Sequence, residues 1–253
     1  MRTVRVIGIG AGDPEFLTVQ AVEALKTVGT FFVLDKGAAS SDLTVARAEV
    51  CDRFLGVGRY RMVTVTDPPR DRSAGDYPAA VEVWRDDRAL ALEQALAKEL
   101  DEGGCGGILV WGDPSLYDGT IRVLDTINAR GELPLSYDVI PGISSVQVLA
   151  ARHRVTITRT AGAVGVTTGR RVAAGKHDED ADLVVMLDAD LACARFRGQD
   201  AELYWGAYLG SPDEILVAGK LDDVLDQVVE VRAAARARKG WIMDTYLVRR
   251  SFG

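Results

Sequence analysis

Three times the chain passes from a short strand-like run straight into a glycine loop. Gly8-Ile-Gly10-Ala-Gly12-Asp13 closes residues 4–9, Trp111-Gly112-Asp113-Pro114 closes 108–111, and Pro141-Gly142 follows 136–140. Behind the first loop, Thr18 is suited to cap a helix whose apolar positions Val19, Val22 and Leu25 repeat at helical spacing. Residues 30–34 then form a second buried run. A β-α-β opening of this kind predicts a parallel sheet. In such a sheet, loops at the carboxyl ends of the strands converge on one crevice.

The rest of the chain divides in two. Residues 66–80 are polar and rich in turn formers, so they read as a surface excursion before an exposed amphipathic helix over 81–100 that stops at Gly103-Gly104. Helices over 119–129 and 144–151 flank the strand at 136–140. Beyond Arg152 the character changes: 163–168, 183–187, 202–209, 215–221 and 241–248 are strand-like, and only 222–238 is strongly helical. These patterns predict an N-terminal α/β domain over 1–152 and a C-terminal one with a mixed sheet over 153–253. The basic run from Arg232 to Lys239 reads as cations placed favourably at a helix C-terminus.

Charge and composition narrow the function. Lys plus Arg number 30 against 37 for Asp plus Glu, so a net charge of −7 has the wrong sign for a general binder of nucleic acid or anionic membrane. Three dispersed cysteines, Cys51, Cys105 and Cys193, fit neither a disulfide framework nor a paired-cysteine metal site, and read as reduced, buried thiols. With only two histidines, His153 and His177, the usual zinc constellations cannot be assembled, and no catalytic metal is expected. No stretch approaches the ~20 apolar residues of a membrane span, so a cytoplasmic protein is expected.

The first glycine loop sits where a dinucleotide fingerprint would sit, with Asp35 further on as a ribose acid. The third glycine of that fingerprint is missing in either frame, however. Its place is taken by Asp13 or Glu15, and either acid repels a pyrophosphate. Pro14 and Glu15 also separate the glycines from the helix, so no phosphate cradle opens on helix amides. The remaining reading is a tight turn that lets backbone approach another segment.

Taken together, the first loop, Gly112-Asp113-Pro114-Ser115-Leu116-Tyr117 and Ile140-Pro141-Gly142-Ile143-Ser144-Ser145 resemble the tetrapyrrole methylase family in order and spacing. The likeness runs the length of the chain, through Val166-Thr-Thr-Gly169, Leu183-Val-Val-Met-Leu187 and Leu209-Gly-Ser-Pro. It departs at Ala11, where the family has proline, and at Asp118, where a small residue often follows the tyrosine. The resemblance implies two α/β domains, a mainly parallel N-terminal sheet and a mixed C-terminal one, with S-adenosylmethionine bound in the cleft between them. Its methyl would go to a ring carbon of a precorrin-type tetrapyrrole, releasing S-adenosylhomocysteine. Gly112, Asp113, Leu116, Ser144, Ser145, Leu187 and Leu209 would line the cofactor pocket. Relatives are commonly homodimers, and the strand at 203–209 is expected to be core rather than interface.

Gly240-Trp-Ile-Met-Asp-Thr-Tyr and Val33-Leu-Asp-Lys-Gly37 narrow the resemblance to a subgroup that methylates C-1 of precorrin-5 and expels its acetyl group as acetate, consuming water. Deacetylation calls for acid and base groups, for which Asp13, Asp35, Tyr117 and Asp244 are the candidates. A polycarboxylate substrate needs local cations: Arg170 and Arg171 first, then Arg59, with Arg61, Arg152 and Arg154 behind. A methylase of another ring carbon, a methylase of a protein or peptide, and a binding relative without turnover share these motifs.

Overall fold

A computed structural model describes residues 1–35, 41–69 and 77–250. The chain forms two compact units, Met1–Ile143 and Ser144–Gly253. The helix expected to close the N-terminal half, Ser145–His153, therefore belongs to the second unit.

The first unit is a five-stranded, wholly parallel sheet. Its strands are β1 (Arg2–Gly8), β2 (Thr30–Asp35), β3 (Arg61–Thr66), β4 (Cys105–Val110) and β5 (Leu135–Ile140), in the order β3-β2-β4-β1-β5. Helices α1 (Val19–Leu25) and α2 (Ser41–Leu55) bring Leu25, Val50 and Cys51 onto Ile7, Phe31, Leu109 and Ile140. A second cluster sets Leu92 and Leu96 of α3 (Tyr77–Glu99) and Leu124 and Ile127 of α4 (Thr120–Arg130) against Val4, Val6, Phe32 and Ile108. Both faces of the sheet are thus covered, which is why the central strands β2 and β4 carry near-continuous apolar runs. Thr18 caps α1 as expected, its hydroxyl accepting from Ala21 N at 3.0 Å.

Three expectations need correction in this unit. Helix α3 starts at Tyr77, inside the stretch read as a polar excursion, and residues 70–76 of that stretch lie outside the described residues. Helix α2 and strand β3 were not anticipated. The strand is mostly exposed or half-buried at the sheet edge, so it lacks the apolar run that marks β1 and β4.

The second unit has the mixed sheet expected of it, ordered β6-β7-β10-β8-β9. Its strands are β6 (Ala163–Thr168), β7 (Ala181–Met186), β8 (Ala201–Ala207), β9 (Ile215–Lys220) and β10 (Asp244–Arg250); β6 and β7 are parallel and the other pairings antiparallel. Helices α5 (Ser145–His153), α6 (Gly169–Ala173) and α7 (Leu221–Lys239) complete it. Leu203, Trp205 and Ala207 are fully buried, so the aromatic strand is core, as expected. Helix α7 buries Leu221, Leu225, Val228, Arg232 and Ala235 along one stripe.

Candidate functional site

The loops that leave β1, β4 and β5 meet at the carboxyl edge of the first sheet, and they meet through glycine. Gly112 N donates to Gly10 O at 2.8 Å, and Gly10 N returns to Gly112 O at 3.3 Å, an isolated antiparallel bridge between two loops. A Cβ on Gly142 would lie 2.1 Å from Gly112 O, and one on Gly8 would lie 2.6 Å from Gly142 N. Gly10 and Gly112 also sit at φ +78° and +70°, the left-handed region that favours glycine. The three glycine motifs are therefore one device, a close backbone junction with no room for side chains.

Asp113 ties that junction. One carboxylate oxygen accepts from Gly142 N at 2.9 Å, joining the β4 loop to the β5 loop, and the other accepts from Ser115 N at 2.8 Å and from the Ser115 hydroxyl. Burial by itself would raise the carboxyl's pKa, but the hydrogen bonds from Ser115 and Gly142 outweigh it and hold the group below the usual range. Asp113 is expected to line the cofactor pocket, but both its oxygens already hold loop backbone.

Three acid–base candidates occupy the same edge. Asp35 ends β2, Asp13 follows β1, and Tyr117 lies in the loop after β4, on adjacent strands in the order β2-β4-β1. Tyr117 is 44% exposed and held at φ +56°, an uncommon conformation for a side chain of that size. Asp13 has a structural task as well: Oδ1 accepts from Glu15 N at 2.8 Å and caps the short helix Pro14–Phe16. That helix separates the glycines from α1, so no run of free helix amides faces the loop.

In the second unit, Leu187, Leu209, Arg170 and Arg171 collect at one end of the sheet, the end where β6, β7 and β8 finish and β10 begins. Arg170 and Arg171 are exposed on α6. Leu187 is 67% exposed at φ +52° and lines a cavity of about 490 Å³ with Asp188, Trp241, Ile242 and Met243. Leu209 differs: the residue is buried, its side chain packed against Gly206. The Ser144 hydroxyl is spent on the α5 capping box with Gln147, and the Ser145 hydroxyl lies 3.0 Å from that of Thr245.

Two predicted residues go elsewhere. Arg59 precedes β3, at the amino end of the parallel sheet and away from the glycine junction. Asp244 is buried, its Oδ2 accepting from Arg232 Nε at 2.8 Å and Trp205 Nε1 at 3.0 Å. Arg232 also donates to Asp188 O at 2.6 Å and Ala189 O at 3.0 Å, so it fastens α7 to the sheet rather than serving the helix dipole. Its place on the apolar stripe of α7 was the signal that it would be buried. Among the described residues no group of His, Cys, Asp or Glu is arranged to hold a metal ion, and no helix is long and apolar enough to cross a membrane.

Against known proteins, residues 3–225 match the family model for Tetrapyrrole (Corrin/Porphyrin) Methylases. The chain belongs to the tetrapyrrole methylase family. It is 44% identical over 250 residues, 99% of this chain and 96% of the relative, to a precorrin-6A synthase [deacetylating] from Sinorhizobium sp. Among solved structures it resembles a putative cobalamin synthesis related protein (CobF) from Corynebacterium diphtheriae, at TM-score 0.85 and 36% identity, with 99% of each chain covered. The fold is also that of a uroporphyrin-III C-methyl transferase from Thermus thermophilus complexed with S-adenosyl homocysteine, at TM-score 0.59 and 17% identity, covering 97% of this chain and 91% of that one.

Proposed function

We propose that this methylase transfers the methyl of S-adenosylmethionine to C-1 of precorrin-5 and releases the acetyl group as acetate, yielding precorrin-6A and S-adenosylhomocysteine in cobalamin biosynthesis. The observation that carries the reading is the 44% identity, over 99% of this chain, to a protein named for that deacetylating reaction.

The residues present fit such a co-substrate. In the first unit, Gly112, Asp113 and Leu116 stand on a backbone junction that leaves ligand groups free to approach main chain. In the second, Leu187 and the cavity walled by Trp241, Ile242 and Met243 offer an apolar surface suited to an adenine ring. When bound, S-adenosylmethionine supplies an electrophilic methyl on a sulfonium.

Water adds to the acetyl carbonyl, and the bond between that carbon and the ring breaks with its electron pair left on the ring carbon. That carbon takes the methyl, the pair of the sulfur–methyl bond stays on sulfur as a thioether, and two protons leave with the acetate. Methyl transfer mainly requires alignment, which a rigid loop junction provides. Activating water requires a base, the role we give to Asp35, with Tyr117 and Asp13 on the same edge. Arg170 and Arg171 take substrate carboxylates. A cytoplasmic homodimer completes the reading, from the family resemblance.

Incubation with precorrin-5 and S-adenosylmethionine, followed by mass spectrometry, tests it. The expected product has gained one methyl and lost one acetyl. A methylated product that keeps its acetyl would place the reaction at another ring carbon, and an unchanged mass would leave a binding protein. Calorimetric titration with S-adenosylhomocysteine beside NADH separates the methylase from a dehydrogenase, because only the former ligand should bind.

A further inference from the structure

The parallel sheet of the first unit is split at its carboxyl end. β2 pairs with β4 only at Thr30↔Gly106 and Phe31↔Gly107. Beyond that point residues 32–35 pair with β3, while residues 108–110 pair with β1. A strand carbonyl facing such a gap needs a donor from outside the sheet. For Leu109 O the donor is Arg47 Nε, reaching across from α2 at 3.0 Å, while Nη1 of the same side chain bonds Leu43 O at 3.2 Å.

These two carbonyls engage only part of a fork with five N–H donors. Among the described residues no carboxylate pairs with Arg47; the acid that acts on it through space is Asp118, in the loop after β4. Burial lowers the pKa of this guanidinium and Asp118 partly restores it. Arg47 is half-buried and spends two of its nitrogens on carbonyls, which leaves the rest of the fork to meet an anionic group. Its bond to Leu109 O sets it on the β2 side of β4, one residue before that strand ends. Crevices at the carboxyl ends of strands, between neighbours whose connections diverge, are where α/β sheets bind ligands.

We propose that Arg47 is a specificity-determining residue that takes an anionic oxygen of the tetrapyrrole in the split between β2 and β4. The proposal rests on the function given above. Two sources share this chemistry: a peripheral carboxylate of the macrocycle, and the acetyl oxygen as it turns into an oxyanion and leaves in acetate.

Arg47→Gln and Arg47→Lys, assayed for acetate release and methylated product beside titration with S-adenosylhomocysteine, test it. Arg47→Gln is expected to lower kcat/KM by about ten- to a hundred-fold, the range of a charge-assisted hydrogen bond, with cofactor affinity kept. Arg47→Lys, which keeps the charge without the fork, should lose less but remain below wild type. A rise in KM with kcat kept assigns the peripheral carboxylate; a fall in kcat with KM kept assigns the acetyl oxygen. Wild-type kcat and KM in Arg47→Gln, or activity lost only in step with cofactor affinity and melting temperature, would overturn the assignment. Should Arg47→Gln fail to fold, Arg47→Lys decides, and wild-type constants there would overturn it equally. If the wild-type protein releases no acetate from precorrin-5, the functional reading itself is what has failed.

Discussion

Asp113 shows how much a single carboxylate can organise. It bonds the loop after β5 and its own loop at once, and those bonds keep it ionised in a partly buried place. Asp113→Ala should therefore weaken S-adenosylhomocysteine binding by about tenfold or more, the scale of losing charged hydrogen bonds. Calorimetry would show it, and an unchanged affinity would mean the junction holds without the tie. Asp35 stands at a strand end with a different expected signature: Asp35→Asn should lose turnover while cofactor affinity stays intact. Full activity in that variant would remove Asp35 from the chemistry. Both residues were legible in the sequence as strand-end acids. What the sequence left open was that both oxygens of Asp113 are already taken, because Gly142, the partner of the second, is far along the chain and comes near only on folding.

At the scale of elements, the glycine loops and α7 carry the argument. A methyl added at Gly142 would collide with Gly112 O, a backbone atom that cannot rotate away. Gly142→Ala is expected to cost about 1–3 kcal/mol in denaturant unfolding, as overpacking does, and to depress cofactor affinity with it. Normal affinity in a stable variant would show that the junction can open without harm. Helix α7 is fastened by Arg232, whose guanidinium joins Asp244 to two carbonyls of the loop after β7. Asp244→Ala leaves that buried cation without its counter-charge, and the expected loss is about 3–5 kcal/mol. A variant as stable as wild type would return Asp244 to the list of possible catalysts. The sequence announced α7 as a helix but read Arg232 as one of its dipole cations; it is buried instead, and its partner lies on another element.

Across the whole molecule, charge couples folding to pH. His153 and His177 both have pKa values lowered from the ordinary one, chiefly by burial, although the Trp205 carbonyl and Glu214 pull His153 back up in part. A histidine whose folded pKa is depressed stabilises the fold above the unfolded pKa of about 6.5, and that stability fades as pH falls through the lower folded value. The melting temperature is thus expected to drop on acidification below about pH 6.5, and His153→Gln should flatten the slope. An unchanged slope would assign the acid sensitivity elsewhere, with Asp113 acting only at still lower pH. The strands β1, β4 and β5, the caps, the parallel and mixed sheets and the family could all be read from sequence, because buried strands and tight glycine turns impose local residue choices. The second sheet's aromatic strand was legible as core for the same reason. Helix α2, the edge strand β3, the carbonyls met by Arg47 and the pairing of Arg232 with Asp244 were not. Each depends on which distant segment supplies the missing donor, acceptor or apolar face, and only the packed chain decides that.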